Sequence, residues 1–533
     1  MTKEKILLII ILLAAFAVRF VNYRYPPLLW DEAALGYNAY SLLHNGRDEY
    51  GQFFPLIFKS FGDYKPGLYI YLTLPFVAVL GLNELSVRLP SIILGTLIPL
   101  LAYLFLKKHS SSKILPLLFA AIIAFNPYNI HYSRGAWETN VLTFELLLAA
   151  KMFFDKKYFW SAFIFGLSLF TYQSGKLTSL LLILILCLTI FSRNIFSKIL
   201  SKNFLLKFVL PLFIFTLPIL YGLLFQQQGN RLQVVSLFSY PRSPEEQQII
   251  SSESSLADYQ LFHNQLFFFT KNFLTRYFNH FSPQFLLTQG DWQNPRHSAP
   301  YTGVLLAPSI IFLTIGVFHF LVHKKNSLNF FFFLWLLLSP IPAALTRDSV
   351  QATRIMNFSL PLCYFIALGL EAFFTKYRHL LFKIIVFSLY SLFFIYYLDL
   401  YFNHMVKKSP QEWLYGYKEA MEYTLKNSPG RTIYFTPFYG QPYAYYLFYS
   451  QYPPSQYQSQ AKLLNNGVDT GRVSKIDQIN FDTPNFQQLQ LESRPSLAIF
   501  SYDDAVRQGL DLKKLIPLSP INNVSTFYAY KNP

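Results

Sequence analysis

Long apolar blocks dominate this chain of 533 residues and constrain its fold more than any other feature. Each block runs for roughly 15 to 22 residues, which as a helix rising about 1.5 Å per residue approaches or matches a hydrocarbon layer of ~30 Å. Inside that layer only helices and closed barrels satisfy every backbone hydrogen bond. Barrel strands alternate in polarity, whereas Leu180–Ile190 and Phe330–Leu338 are apolar on every side. The pattern therefore predicts an all-α polytopic membrane protein.

The apolar blocks predict about eleven membrane crossings. They are residues 6–22, 88–106, 114–130, 139–154, 159–172, 177–192, 204–225, 301–322, 328–345, 355–373 and 380–398. The first block also fits a cleaved signal peptide, but an uncleaved signal anchor is favoured because a whole membrane domain follows it. A further apolar stretch, residues 68–82, is short and contains Pro75, so we expect it to lie in the outer interface. A crossing there is the open alternative.

Loops that are rich in basic residues alternate along the chain with loops that contain few, and this asymmetry predicts the orientation in the membrane. With a cytoplasmic N-terminus, the inner loops hold the lysines and arginines of residues 107–113, 151–157, 193–207, 324–325 and 376–383. The short outer loops hold only Arg134, Lys176, Arg347 and Arg354. The net charge of +17 therefore indicates orientation in the cytoplasmic membrane and contact with its lipids, not nucleic-acid binding.

Three large segments then share the outer side: residues 23–87, residues 226–300 and the chain after about residue 400. We expect a membrane domain of residues 1–400 and a small α/β extracytoplasmic domain of residues 401–533. In the latter, Ser409, Pro410 and Glu412 predict the start of a helix reaching about Asn427. Strands are predicted at residues 432–435, 497–501 and 526–530.

The first outer segment carries the acids and the lysine most suited to catalysis. Trp30, Asp31 and Glu32 follow the first helix. The later motif Gly62-Asp63-Tyr64-Lys65-Pro66 adds another acid, Asp63, and a cation, Lys65. A carboxylate beside a lysine is a plausible general base with a phosphate clamp. The alternative is an interfacial cap on the first helix, with Glu32 and Asp63 merely solvated.

In their order and spacing these motifs resemble a known family. Trp-Asp-Glu, Asp63-Tyr-Lys-Pro-Gly-Leu-Tyr69, Ser86-Val-Arg-Leu-Pro-Ser91 and His131-Tyr-Ser-Arg134 followed by Glu138 look like the protein-mannosyltransferase and aminoarabinose-transferase group of the GT-C superfamily. The resemblance covers about the first 180 residues well. It implies that Asp31 is the catalytic base and that Lys65 meets the lipid phosphate. The family usually has a second proline where this chain has Gly67, so the backbone of that turn is expected to differ.

The resemblance also implies a reaction. An acceptor hydroxyl gives its proton to Asp31 while its oxygen attacks the anomeric carbon of a sugar, of hexosyl or mannosyl type, on a polyprenyl-phosphate carrier. The carrier phosphate leaves from the opposite face, so the configuration inverts. Lys65 is the first candidate to stabilise the leaving phosphate and Arg134 the second. Protein, lipid and glycan acceptors all stay open.

Two later clusters are further candidates for substrate binding. Arg134 and Glu138 are predicted one helical turn apart on the outer surface, where a local ion pair is an equally good interpretation. The motif from Gly290 to His297 suggests a sugar-binding rim, with Asp291, Arg296 and His297 as its polar groups. A divalent metal bound by His280, Asp291 and His297 is chemically feasible, but the spacing matches no recognised ligand motif. Arg347 and Arg354 fit either a phosphate contact or interfacial anchoring.

Other functional classes agree less well with the sequence. A transporter or lipid flippase is compatible with eleven crossings, but such proteins often have paired halves, which are not evident here. A polysaccharide polymerase or ligase is closer in chemistry. A membrane scaffold would not need the acids and the lysine of the first outer segment.

Overall fold

The computed structural model describes residues 2–191, 195–225, 235–239, 242–252, 261–323, 326–465, 471–522 and 524–532. The chain forms two compact units. The first, here called the helical unit, comprises Met1–Val18, Leu94–Tyr132 and Thr139–Leu398. The second, the mixed unit, comprises Arg19–Ile93, Ser133–Glu138 and Asp399–Pro533.

Helices and one hairpin make up the chain before residue 409. The elements are α1 Lys3–Phe20, α2 Trp30–Asn45, β1 Ile57–Ser60, β2 Asp63–Pro66, α3 Leu68–Leu80, α4 Glu84–His109, α5 Leu115–Phe125, α6 Pro127–Ser133, α7 Glu138–Phe154, α8 Tyr158–Ser168, α9 Gly175–Phe191, α10 Ile195–Ile199, α11 Lys202–Phe204, α12 Leu210–Phe225, α13 Pro244–Ser252, α14 Gln265–Asn279, α15 Ser309–Val322, α16 Ser327–Leu338, α17 Ile341–Ala344, α18 Ser359–Lys376, α19 Leu380–Asp399 and α20 Met405–Lys408. Short 3₁₀ turns lie at Leu237–Ser239, Pro295–His297 and Thr353–Phe358, and π turns at Leu205–Val209, Gln284–Thr288 and Leu400–His404.

Proline explains where several predicted crossings are interrupted. The block 114–130 divides at Asn126 because Pro127 disfavours helical geometry in the residue before it. The block 328–345 divides at Ser339 and Pro340, ahead of α17. The block 301–322 becomes helical only at Ser309, after Pro308. Thus the apolar pattern identified these helices, while proline fixed their ends.

Five helical stretches of the described chain are long and apolar enough to cross a membrane. They are Glu84–His109, Lys202–Leu224, Ser327–Ala344, Thr353–Lys376 and Leu380–Lys408. The shorter apolar helices include Leu68–Leu80, whose 13 residues rise about 20 Å. The chain is therefore a multi-pass membrane protein with a mostly helical fold. The count of eleven crossings stays a prediction.

Close helix packing in the helical unit depends on two glycines. Gly316 of α15 and Gly369 of α18 face each other so closely that a Cβ at either would overlap the partner helix, at Phe365 O or Phe312 O. Small residues that bring helix backbones together are the usual device for packing inside a membrane, where lipid removes the hydrophobic drive for association.

The C-terminal part of the mixed unit is a six-stranded mixed sheet flanked by helices. Its elements are α21 Tyr417–Asn427, β3 Thr432–Phe435, α22 Pro442–Ser450, α23 Pro454–Gln460, β4 Leu463–Asn465, β5 Gly471–Val473, β6 Lys475–Ile476, β7 Ile479–Asn480, α24 Phe486–Leu491, β8 Ser496–Ser501, α25 Tyr502–Arg507, β9 Ile516–Ile521 and β10 Val524–Asn532. The strand order is β6-β7-β3-β8-β10-β9, with β3 parallel to β7 and β8. The three predicted strands are confirmed as β3, β8 and β10.

The predicted start of the helix near residue 409 is wrong. Residues 410–416 form turns, and the helix begins at Tyr417. Leu414 and Gly416 have positive φ angles of 54° and 94°, which no helix accommodates. Trp413 and Leu414 are buried. The burial of these apolar side chains therefore overrides the local capping signal of Ser409 and Pro410.

The first outer segment folds together with the C-terminal part inside the mixed unit. The Tyr445 hydroxyl donates to Leu28 O at 2.8 Å, and the Tyr37 hydroxyl donates to Tyr452 O at 3.0 Å. Gly440 leaves room for the Trp30 ring, which a Cβ at this position would overlap. The boundary near residue 400 stays a prediction, but residues 19–93 belong to the same compact unit as the segment after it.

Candidate active site

The two neighbouring acids lie in the first turn of α2. Leu29 precedes the helix in an extended conformation, and its N–H donates to Glu32 Oε2 at 3.0 Å. This is half of a capping box, and the positive end of the helix dipole also favours carboxylates in the first turn. Asp31 and Glu32 are therefore acids at the N-terminus of a second helix, which the sequence analysis, placing them just after the first helix, did not predict.

Asp31 forms an ion pair with Lys65 from the hairpin. Lys65 lies on β2, opposite Phe58 of β1, and its ammonium group contacts the Asp31 carboxylate. The Lys65 Nζ also lies 5.0 Å from the centre of the Phe61 ring, a favourable cation–π distance. The Asp31 side chain is 44% exposed and that of Lys65 is 16% exposed. The structure thus brings together the predicted base and the predicted phosphate cation, with the carboxylate open to solvent.

The Glu32 carboxylate is sealed in the interior. Arg88 donates to both of its oxygens, from Nε at 2.8 Å and from Nη2 at 2.6 Å. The N–H of Ala136 donates to Oε1 at 2.7 Å, in addition to the bond from Leu29. Only 6% of the side chain is exposed. The substrate-binding role predicted for Glu32 does not fit this geometry, because its acceptor positions are already used by the protein.

Arg88 is a residue of this site that the sequence analysis did not select. Besides Glu32, it donates to the carbonyls that precede α2, namely Tyr23 O at 2.7 Å, Pro26 O at 2.9 Å and Pro27 O at 3.2 Å. Arg88 is completely buried. It therefore fixes the chain that leads into Asp31. A charged residue at the start of an apolar block was the available signal.

Arg134 fixes the same loop from another direction. Its guanidinium donates to four carbonyls, those of Arg19, Val21, Asn22 and Tyr25. It also lies over two rings, 5.4 Å from the centre of Tyr401 and 4.7 Å from that of Phe402. The side chain is fully buried. These contacts favour a structural role over the predicted one as a second cation for phosphate.

Arg134 and Glu138 do not share a helix. The helix α6 ends at Ser133 and α7 begins at Glu138, so residues 134–137 form the connection. The predicted spacing of one helical turn is therefore wrong. Asp63 begins β2 and pairs with Ser60, but its side chain lies outside the described part of the structure. The substrate roles of Glu138 and Asp63 stay predictions.

Gly67 sets the backbone of the turn after Lys65. Its N–H donates to Leu56 O at 3.0 Å, a bond that proline cannot make. A Cβ at this position would also overlap the Phe58 ring. The hairpin that carries Lys65 therefore requires glycine, which explains why a second proline is missing here.

The predicted sugar-binding rim belongs to the helical unit and is tightly hydrogen-bonded. Asp291 Oδ2 contacts His297 Nδ1 at 2.9 Å and accepts from the N–H of Ala352 at 2.9 Å. Burial raises the pKa of Asp291, but the bonds from His297 and its neighbours outweigh it and hold the pKa below its usual range. Arg296 is half-buried, and its carbonyl lies 2.9 Å from His131 Nε2. Sugar binding by Asp291, Arg296 and His297 stays a prediction.

The metal alternative is not supported at this place. His280 Nδ1 donates to Arg276 O at 2.7 Å, which leaves Nε2 to accept from the N–H of Gln351 at 3.1 Å. Both ring nitrogens of this predicted ligand are therefore used. Within the ranges that the structure describes, no group of three histidine, cysteine or acidic side chains has the arrangement of a metal site.

The two arginines near residue 350 also contact the protein. Arg354 donates to Asp348 at 2.8 Å and to Thr346 Oγ1 at 2.5 Å. Arg347 is more exposed, and its carbonyl accepts from Arg276. A phosphate contact by this pair stays a prediction.

A buried pair of acids follows α2 in the mixed unit and was not anticipated. Glu49 exchanges hydrogen bonds with Asn38, whose Nδ2 donates to Oε1 at 3.2 Å and whose Oδ1 accepts from the Glu49 N–H at 3.0 Å. Burial, with Asp48 beside it, raises the pKa of Glu49 to about 8 against the opposing effects of Asn38 and Lys65. Glu49 is therefore largely neutral near pH 7.

Comparison with known proteins gives one sequence family and one fold. Residues 9–230 match the family model described as dolichyl-phosphate-mannose-protein mannosyltransferase. A search of curated protein sequences gives no match. The matched residues include Asp31, Lys65, Arg88 and Arg134, so the predicted resemblance to the protein-mannosyltransferase and aminoarabinose-transferase group is confirmed.

The fold is similar to that of ArnT from Cupriavidus metallidurans. The apo structure of that protein gives a TM-score of 0.54 at 11% identity, covering 99% of this chain and 97% of the other. Its structure bound to undecaprenyl phosphate gives 0.55 at 11% identity, covering 98% of each chain. At this identity the likeness establishes the fold alone.

Proposed function

We propose, from the match of residues 9–230 to the protein-mannosyltransferase family model, that the chain is a GT-C glycosyltransferase that transfers a sugar from a polyprenyl-phosphate carrier to an acceptor hydroxyl. The donor sugar is a hexose of mannosyl type, and the configuration inverts. The solved ArnT structure with undecaprenyl phosphate supports a lipid-linked donor, because that ligand is the carrier part of such a donor. The acceptor is a protein, lipid or glycan hydroxyl.

The observation that carries the proposal is the different accessibility of the two neighbouring acids. Glu32 is sealed by Arg88, whereas Asp31 is open and contacts Lys65. A general base must reach the proton that it removes, so Asp31 is the acid suited to this role. Its carboxylate takes the acceptor proton as the acceptor oxygen bonds to the anomeric carbon and the bond from that carbon to the phosphate oxygen breaks.

Lys65 links the proton transfer to the departure of the carrier. While Asp31 is ionised, the ammonium of Lys65 balances its charge. Once Asp31 has accepted the proton it is neutral, and Lys65 can pair with the phosphate that has just gained negative charge. A cation aimed at developing charge in this way stabilises the transition state more than the ground state.

Arg88, Glu32 and Arg134 act as positioning residues in this proposal. They bind the backbone of residues 19–29 and the first turn of α2, so they hold Asp31 without touching substrate. The active site is on the outer face of the cytoplasmic membrane, which follows from the basic residues of the opposite loops.

Transfer by the purified full-length protein tests the proposal. The protein is reconstituted in nanodiscs with a panel of polyprenyl-phosphate sugars, and release of the carrier phosphate and glycosylation of hydroxyl acceptors are followed. Asp31→Asn is compared with Asp482→Asn, an exposed acid that begins no helix and lies outside the site. We expect transfer by the wild type and the control, and little by Asp31→Asn. Equal rates in all three would remove Asp31 as the base, and solute uptake into vesicles without transfer would favour the transporter.

A further inference from the structure

An open cleft of about 750 Å³ lies in the C-terminal part of the mixed unit. One wall is α24 with the turn before it, and the other is the loop of residues 508–515. No contact described above for Asp31 or Lys65 involves these residues. The proposed transfer reaction therefore assigns no role to this cleft.

Side-chain amides dominate the polar lining of this cleft. They belong to Asn485, Gln487, Gln490 and Gln508, all of them exposed. Gln487 and Gln490 are three residues apart on α24, so their amides lie on the same face of the helix. The amides of Gln487 and Gln490 each carry two N–H donors and one carbonyl acceptor, a set that matches the paired hydroxyl groups of a sugar ring.

Hydrogen bonds fix the shape of the cleft before any ligand binds. Gln508 bridges the two walls, since its Oε1 accepts from the N–H of Phe486 at 3.1 Å and its Nε2 donates to Pro484 O at 2.9 Å. Asn485 caps α24, with Oδ1 accepting from the N–H groups of Gln487 and Gln488 at 3.1 and 3.3 Å. A site shaped in advance loses less entropy when it binds.

An aromatic ring, Phe486, belongs to the apolar part of the lining, together with Pro484, Leu510 and Leu515. Phe486 is half-buried and packs edge-on against Tyr530, with 4.9 Å between the ring centres, and against Phe500 at 6.3 Å. These contacts hold the ring in place at the cleft. The C–H face of a pyranose fits such a ring, while its hydroxyl groups reach the amides.

The charges of the lining select a neutral ligand. The charged residues of the lining are Asp511 and Lys514, whose opposite charges offset each other. Phosphate and nucleic-acid sites need a clear excess of basic groups. Peptide sites usually rely on deep apolar pockets or on addition to a sheet edge, and the exposed amides here provide neither.

We propose that this cleft binds a neutral saccharide, which goes beyond the transfer reaction. Its use as the holding site for a glycan acceptor rests on the proposed function. Binding itself does not, because the cleft and the Asp31 site are formed by different residues.

Saccharide binding to the full-length protein in detergent tests the inference. The probes are neutral trisaccharides built from glucose, mannose, galactose and N-acetylglucosamine, observed by saturation-transfer NMR and titrated by calorimetry. The double variant Gln487→Ala with Gln490→Ala is compared with Gln488→Ala, a glutamine of the same helix that does not line the cleft. We expect at least one probe to bind, with about tenfold or greater loss of affinity in the double variant, because two side-chain amides that would bond the sugar hydroxyl groups are removed.

Several results would overturn this inference. They are the absence of binding by every probe, equal binding by the double variant and Gln488→Ala, or displacement of the probe by an unrelated neutral peptide but by no other saccharide. Thermal unfolding of the double variant should match the control, which excludes misfolding. Asp31→Asn should bind saccharide as the wild type does. Saccharide binding without any transfer by the wild type would therefore contradict the proposed function but not the inference that the cleft binds a saccharide.

Discussion

The Asp31–Lys65 pair and the Glu32–Arg88 pair begin at adjacent residues, yet they lie in opposite environments. Lys65 holds one carboxylate with a single flexible ammonium group on a hairpin, and 44% of the Asp31 side chain is exposed. Arg88 holds the other with two parallel N–H donors, and 6% of the Glu32 side chain is exposed. The open pair can exchange its partners during a reaction, whereas the sealed pair cannot.

The difference also follows from the chemistry of the cations. Arginine presents a planar fork that matches a carboxylate and stays charged when buried, so it suits a fixed internal contact. Lysine is a compact charge on a flexible chain that can turn toward a phosphate. We therefore expect changes at the open pair to affect turnover and changes at the sealed pair to affect folding.

The largest effect on activity is expected for Asp31→Asn. Loss of the general base should lower kcat by about 10²- to 10⁴-fold, because the acceptor must then attack without proton removal. Steady-state transfer in nanodiscs measures this, and thermal unfolding should stay close to that of the wild type since the carboxylate is exposed. A normal kcat, or an unfolding defect like that expected for the sealed pair, would contradict the assignment of Asp31 as an exposed catalytic base.

The sealed pair should show its effect in stability. Arg88→Leu leaves the Glu32 charge buried without its partner, and breaking such a pair costs about 3–5 kcal/mol. The midpoint of denaturant unfolding measures this loss. Combining Arg88→Leu with Glu32→Leu should recover part of the stability, because no buried charge remains. Arg88→Leu with wild-type stability would contradict the assignment of this pair as structural.

Lys65→Gln should weaken catalysis and leave folding largely unchanged. Removing one group that stabilises developing charge typically lowers kcat by about 10²- to 10³-fold. The loss should exceed that of Lys59→Gln, a lysine of the opposite strand that the proposed reaction does not use. Comparable rates for the two variants would show that Lys65 does not stabilise the leaving phosphate.

Gly67→Pro tests the backbone that carries the open pair. The variant loses the bond to Leu56 O and places its ring against Phe58. We expect a loss of about 1–3 kcal/mol from the unsatisfied carbonyl and the overlap. The midpoint of thermal unfolding measures this loss. A Gly67→Pro variant as stable as the wild type would show that the turn tolerates the usual second proline.

The remaining test concerns the pH dependence of stability and Glu49. Its folded pKa is raised to about 8, so its contribution to stability is fully present below the unfolded pKa of about 4.3. That contribution is lost as the pH rises through the folded pKa, because the unfolded state ionises first. Glu49→Gln, measured by thermal unfolding from about pH 5 to about pH 9, should lose less stability over this range. If the pH profile of Glu49→Gln matched that of the wild type, the pKa of Glu49 would not be raised in the folded state.

The sequence predicted the general class of this protein because membrane insertion is a property of local composition. Apolar blocks of sufficient length identified the apolar helices and the strand pattern identified β3, β8 and β10, whereas α2, which carries Asp31, was not predicted. The helix expected at Ser409 failed because burial of Trp413 decides that turn. Burial depends on residues far along the chain, which capping signals do not report.

The amino-acid sequence alone specifies the chemical groups, which are two adjacent acids after the first apolar helix and the lysine of a Lys-Pro motif, in the order of a known family. Which of the two acids is exposed depends on tertiary packing, because Arg88 lies 56 residues beyond Glu32 and seals it through contacts that no local pattern encodes. The same holds for position 67, where glycine is required because its N–H donates to Leu56 O and because a Cβ would overlap the Phe58 ring. Residue type is local information, whereas exposure is set by what packs around the residue, and it is exposure that separates a catalytic carboxylate from a structural one.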